Sequence, residues 1–204
     1  MEPIVLASES PRRQEFFRLL GLPFISMPSA VDETLNPGMD IQQAVEDLAR
    51  RKVNTVVDTL KAMPPSLLPG EHNLAWVFGA DTIIALDGKV FGKPVDREDA
   101  KRMLSAFRGR EHKVITAIAL YSGRGKAIDS RSVNSSVAFA PLSESEIEWY
   151  LDSGEWEGAA GAYKIQGLAS CFITEIQGSY SSIVGLPLRE IYVMLRDNGY
   201  PYGG

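Results

Sequence analysis

The sequence holds a single cysteine, Cys171, in 204 residues. A lone thiol makes no intramolecular disulfide, so a reducing compartment is expected, and its place in the apolar run Leu168 to Ile173 predicts a small core hydrophobe. No stretch approaches the roughly 20 apolar residues of a membrane span. A signal-peptide apolar core is also missing, because Glu9, Arg12 and Arg13 interrupt the N-terminus. These absences predict a cytoplasmic protein that does not engage a membrane. There is no long basic run, and the formal charge is -5, which argues against a nucleic acid polymer as partner. The two histidines, His72 and His112, lack His, Cys or acidic partners at metal-ligand spacing, so surface roles are expected. Gly-x-Ser-x-Gly, Gly-x-x-x-x-Gly-Lys and Gly-x-Gly-x-x-Gly are absent, which leaves serine-nucleophile hydrolysis, P-loop chemistry and dinucleotide binding poorly supported. Repeats and low-complexity tracts are missing too.

What is present is a 45% hydrophobic chain, long enough for a substantial core. We expect one two-lobed domain over 1–204. Met1 to Ala7 reads as a strand, and Ser10-Pro11 as the cap and first residue of a helix that stops at Gly21. Phe24 to Met27 follows as a strand. Asp40 caps a long helix with apolar residues from Ile41 to Leu60 at helical spacing and Arg50, Arg51 and Lys52 on its polar side. Met63 to Gly70 is an irregular connection. Leu74 to Phe78 and Ile83 to Leu86 read as two strands separated by Gly79-Ala-Asp-Thr82, and Asp87-Gly88 predicts a hairpin turn with a return strand through Phe91.

Asp96 caps a helix to about Phe107. Val114 to Tyr121 and Lys126 to Phe139 read as strands, the second with one wet face, around a turn at Ser122 to Gly125. Ser143 with Glu146 is a capping box for a helix through Leu151. Gly154 to Gly161 is small and flexible, Leu168 to Ile173 a buried strand, and Pro187 opens a last helix ending at Asn198-Gly199. Interleaved strands and helices with tight hairpins predict an α/β class with a mixed central β-sheet flanked by helices.

The segment Leu6-Ala-Ser-Glu-Ser-Pro-Arg-Arg13 carries the sharpest chemical signal. Arg12 and Arg13 fall in the first turn of a helix, against the positive end of its dipole, where anions are favoured. With the Ser8 and Ser10 hydroxyls and free backbone N–H groups they form a cradle suited to phosphate, although a solvated basic helix start has the same composition. Asp81 lies between apolar segments. A carboxylate there takes a raised pKa, is held by a metal or cation, or bonds its own backbone in a turn.

Asp32-Glu33-Thr34 adds hard oxygen ligands of the kind Mg²⁺ or Mn²⁺ takes alongside substrate phosphates. Lys52, and Lys93 between Gly92 and Pro94, have the reach and charge of phosphate partners, or are solvated surface lysines. In Gly161-Ala-Tyr-Lys-Ile-Gln-Gly167, Gln166 offers donors and an acceptor suited to a nucleobase edge or to a turn's backbone, and Tyr163 is either core or a stacking face.

Taken in order, these motifs, with Val184-Gly-Leu-Pro187, resemble the Maf family of nucleoside triphosphate pyrophosphatases over nearly the whole chain. The resemblance implies a fold like that of the inosine triphosphate pyrophosphatases, with a cleft between two lobes, and a homodimer. It implies Asp81 as proton acceptor, and Arg12, Thr82 and Gln166 as positions of substrate choice. The Tyr163-x-Ile165-Gln166-Gly167 block is similar to the branch acting on dTTP and UTP; its sister acts on 7-methyl-GTP. Where the family usually has Asp-Lys, this chain has Gly158-Ala159, so either a cation that holds the triphosphate is missing or the nearby Lys164 compensates.

The expected chemistry is attack of water on the α-phosphorus, releasing monophosphate and pyrophosphate. Asp81 would be the base, Glu33 and Asp81 the ligands of Mg²⁺ or Mn²⁺, and Ser8, Arg12, Arg13, Lys52 and Lys93 the partners of the phosphates. Rival readings are a modified-nucleotide pyrophosphatase and a non-catalytic nucleotide sensor that regulates division.

Overall fold

Residues 1–64, 76–125 and 127–202 are described by the computed structural model. The strands are β1 (Ile4–Leu6), β2 (Phe24–Ser26), β3 (Trp76–Leu86), β4 (Lys89–Phe91), β5 (Glu111–Ser122), β6 (Ala127–Phe139) and β7 (Ile173–Gln177). The helices are α1 (Pro11–Leu19), α2 (Ile41–Ala62), α3 (Arg97–Phe107), α4 (Glu144–Asp152), α5 (Tyr180–Val184) and α6 (Leu188–Asp197). Strand order is β2-β1-β3-β5-β6-β7, with β4 on β3. β1 pairs parallel with β2 and β3, while β3–β4 and β6–β7 are antiparallel, so the sheet is mixed as expected. His72, the start of the strand expected at Leu74, and much of the connection expected over Met63 to Gly70 lie outside the described residues. Among the described residues no helix is long and apolar enough to cross a membrane.

The chain divides into two units, one of Met1–Asp81, Ala117–Ser132 and Gly185–Gly204, the other of Thr82–Thr116 and Val133–Val184. In the first, Phe17 is the buried residue of α1 and meets Phe24 and Phe78 edge-on at centroid distances of 5.6 and 5.4 Å. It belongs to a core with Ile4, Leu6, Trp76, Ile118, Leu186 and Met194. Each such side chain contributes about 2 kcal/mol of burial. Asp40 caps α2 by accepting from the Gln43 N–H at 3.1 Å, and the α2 stripe Val45, Leu48, Ala49, Val53, Val56 and Leu60 is buried. Ser10 is the N-cap residue of α1 but makes no side-chain capping bond; its N–H donates to Ser8 Oγ instead, at 3.2 Å.

In the second unit, Asp87 and Gly88 turn β3 into β4 with φ of 51° and 73°, both in the left-handed region that a type I′ hairpin requires. The capping box of α4 is complete, with Ser143 Oγ accepting from the Glu146 N–H and the Glu146 carboxylate from the Ser143 N–H. α3, α4 and β6 enclose a core that includes Leu104, Phe107, Phe139, Ile147, Tyr150 and Phe172.

Five expectations are corrected. Gly79 to Thr82 is no break, because β3 runs unbroken from Trp76 to Leu86. Gly79 lies beneath α2, and a Cβ there would come within 2.8 Å of Val53 Cγ2 and 3.2 Å of the Ala49 carbonyl oxygen. The glycine is needed for helix-to-strand approach, not for a turn. Leu168 to Phe172 is a 3₁₀ helix that precedes β7, not part of a strand. Three residues per turn place Ala169 and Phe172 on one buried face and leave Cys171 exposed, so Cys171 is no core residue. His112 is buried, at 2% exposure, because β5 starts earlier than expected and alternation turns Glu111 and Lys113 outward. Lys52 is also buried, for the reason given next.

Candidate active site

The close packing of α2 on β3 at Gly79 brings Lys52 over Asp81. Lys52 is 6% exposed and Asp81 9%, and Lys52 Nζ donates to Asp81 Oδ1 at 2.6 Å and to Glu33 Oε1 at 2.7 Å. Burying an ammonium costs several kcal/mol unless it is paired and hydrogen-bonded, and the two carboxylates supply that pairing. Lys52 therefore reaches a site, as one of its two sequence readings proposed, but from a buried position and not from a solvated face.

Glu33 is held in place by its neighbours. The Thr34 N–H and hydroxyl both donate to Asp32 Oδ1, at 2.9 and 2.7 Å, and these bonds, the hydroxyl's above all, draw the Asp32 carboxyl below its ordinary pKa. Arg51 donates to the carbonyls of Asp32 at 2.6 Å and Thr34 at 2.9 Å, gripping the chain on both sides of Glu33, while its Nε bonds Asp47. Sequence reasoning placed Arg51 with the solvated polar face. A guanidinium one residue before Lys52, on the helix that carries it, was the available signal.

The two adjacent arginines differ. Arg13 donates from Nε to the Gly185 carbonyl at 3.2 Å and from Nη1 to Ser8 Oγ at 3.3 Å. Desolvation lowers its pKa; Asp81 and Glu33 oppose that, and Arg12 reinforces it. An arginine stays charged throughout this range. Arg12 is half-buried, its pKa also lowered by desolvation, and among the described residues it has no hydrogen-bond or ion-pair partner. Arg13 is thus tied into the fold beside the carboxylates, whereas Arg12 is not. Ser8 is buried and shares its Oγ with Arg13 and the Ser10 N–H.

Arg13 and Lys52 set two cations against the two carboxylates of Asp81 and Glu33, and Arg12 adds its charge beside Arg13. Mg²⁺ and Mn²⁺ accept one or two protein carboxylates and complete their shells with phosphate oxygens and water, which this donor set suits. Among the described residues no group of three His, Cys, Asp or Glu is placed to hold a metal alone. A cation here would depend on ligand phosphates.

Thr82, Lys93 and Gln166 belong to the second unit. Thr116 Oγ1 donates to the Ser182 carbonyl at 2.7 Å and lies 3.0 Å from Thr82 Oγ1. A hydroxyl has one proton, and Thr116 has given its own to the carbonyl, so the Thr82 hydroxyl is the donor of the pair. Thr116 was not singled out in the sequence. Lys93 is exposed just after β4, where the neighbouring Gly92 carbonyl accepts from the Gly161 N–H at 2.8 Å.

Tyr163 is core: it is buried, and its hydroxyl lies 2.8 Å from His112 Nε2. Gln166 is exposed in the turn closed by the Gly167 N–H on the Lys164 carbonyl at 3.0 Å. Ala159, one of the two residues standing where Asp-Lys was expected, is 1% exposed, and Lys164 is half-buried.

A family model described as "Maf-like protein" matches residues 3–198. A dTTP/UTP pyrophosphatase of Symbiobacterium thermophilum is 42% identical, covering 98% of this chain and 96% of its own. One from Pelotomaculum thermopropionicum is 41% identical, with 98% of each chain covered. Among solved structures, the Staphylococcus aureus Ham1 protein aligns with a TM-score of 0.44 at 13% identity, over 69% of this chain and 73% of that one. The family model and the relatives both extend across the Ser8–Arg13 junction, the Glu33–Lys52–Asp81 bridge and the Gln166 turn, and this chain belongs to the Maf family.

Proposed function

We propose that this protein hydrolyses dTTP and UTP to the nucleoside monophosphate and pyrophosphate. The observation that carries the reading is the buried Lys52 bridge between Asp81 and Glu33, set beside two arginines. A plain anion binder gains nothing from carboxylates next to phosphate, whereas a hydrolase needs a base there. The related pyrophosphatases carry the substrate part of the proposal.

Asp81 is held through one oxygen by Lys52, and its other oxygen orients and deprotonates the attacking water. Arg12 takes the phosphate tail, and Arg13, Lys52 and Lys93 balance the charge that grows on the leaving pyrophosphate. Ser8 adds a neutral donor. Glu33 and Asp81 would hold a divalent cation, which when bound supplies Lewis-acid polarisation of the α-phosphate. Thr82 and Gln166 read the base.

The test is a panel of dTTP, UTP, CTP and 7-methyl-GTP with pyrophosphate detection, run with Mg²⁺, with Mn²⁺ and without metal. The expected result is metal-dependent pyrophosphate release, fastest with dTTP and UTP. Preference for 7-methyl-GTP would move the protein to modified nucleotides, and tight binding without pyrophosphate release would make it a sensor.

A further inference from the structure

The Gln166 turn is clamped from both ends. Upstream, Tyr163 is fixed by its hydroxyl on buried His112, among the rings of Phe107 and Phe139. Downstream, the half-buried Glu155 carboxylate accepts from the Leu168 N–H at 3.0 Å, and the Tyr150 hydroxyl donates to it at 3.3 Å. Leu168 opens the 3₁₀ helix, so the carboxylate satisfies a backbone N–H that would otherwise lack a partner, at the helix end that favours negative charge. Gly167 lies flat against the same group; a Cβ there would come 2.3 Å from Glu155 Oε2. The two anchors fix the chain three residues before Gln166 and one to two residues after it. Between them the Gln166 side chain is exposed and, among the described residues, makes no hydrogen bond of its own.

An exposed amide reads a base edge only if its backbone is fixed, because a hydrogen bond discriminates through placement to within a fraction of an ångström. We propose that Glu155 is a positioning residue that locks the Lys164–Gly167 turn and thereby sets which base Gln166 accepts. The proposal rests on the base-reading role given to Gln166 above. Glu155 acts through the backbone of Leu168 and Gly167 and touches no substrate.

The test compares Glu155→Ala, Glu155→Gln, Gly167→Ala and Gln166→Ala, each confirmed folded by circular dichroism, for kcat and KM on dTTP, UTP and CTP. Glu155→Ala is expected to raise KM for dTTP about tenfold and to lower the preference for dTTP over CTP toward that of Gln166→Ala, with kcat within about twofold of the parent. Glu155→Gln keeps an oxygen for the Leu168 N–H and should restore most of the preference. Gly167→Ala pushes the carboxylate aside without removing it and should mimic Glu155→Ala; it carries the test alone if Glu155→Ala does not fold.

A fall in kcat with unchanged KM and preference would overturn the positioning role. So would unchanged preference in Glu155→Ala and Gly167→Ala while Gln166→Ala loses it. Unchanged preference in Gln166→Ala itself would remove the base-reading role, and the proposal with it.

Discussion

Replacing Asp81 by Asn is expected to lower the turnover of dTTP by about a hundredfold or more, since positioned general-base catalysis is worth factors of this size. Asparagine keeps the shape and an oxygen for Lys52, so the packing of α2 on β3 at Gly79 should survive, and Glu33 still pairs the ammonium. What is lost is the proton-accepting oxygen. With the divalent cation saturating, the substitution removes a negative charge beside the phosphates, so KM for dTTP should stay the same or fall, which separates loss of chemistry from loss of binding. Pyrophosphate release measured over a range of dTTP, with melting temperature as a control on folding, checks both. Near-parental kcat would take the base role away from Asp81.

Acidification is expected to destabilise the protein through His112 by about 3 kcal/mol between pH 7 and pH 4. Desolvation pushes the folded-state pKa of His112 down from 6.5 to about 4, since imidazolium would sit among Phe107, Phe139 and Tyr163 with no charge partner among the described residues. The unfolded chain titrates near the ordinary value. Above pH 6.5 both states leave the ring neutral and the stability is fully present. As pH falls toward 4, the unfolded state binds a proton that the folded state refuses, and stability drains away until the folded pKa is passed. Carboxylates titrate in the lower part of this window too, so the comparison is with His112→Gln. Urea unfolding at pH 7, 6, 5 and 4 should show the parent's advantage over the variant shrinking as pH falls. A constant difference would mean that the folded protein accepts the proton.

The elements easiest to read in the sequence were those specified by their own neighbours. Asp40, Asp96 and Ser143 with Glu146 each cap the helix that immediately follows, and Asp87-Gly88 encodes the φ values its turn needs. The misreadings have the opposite character. Gly79 and Asp81 are turn formers by local preference, yet they sit inside a strand because residues of α2, some 30 positions away, require a missing Cβ and supply a buried ammonium. Local propensity yields to such tertiary demands.

Lys52, Asp81, Glu33 and Arg12 were all recognisable as candidates from residue type and motif. Their supports were not. Arg51, Thr116, His112 and Glu155 act on backbone groups or partner side chains that only the fold brings near, and the one local signal was Arg51's place beside Lys52.

Gly79 carries no functional group, yet a saturation scan scored on activity should find it about as intolerant as Asp81. Any side chain there would act as a shim under α2, lifting the lysine off its carboxylates. On the proposed mechanism, the boundary between residues that perform chemistry and residues that make room for it runs through a single strand, two positions apart.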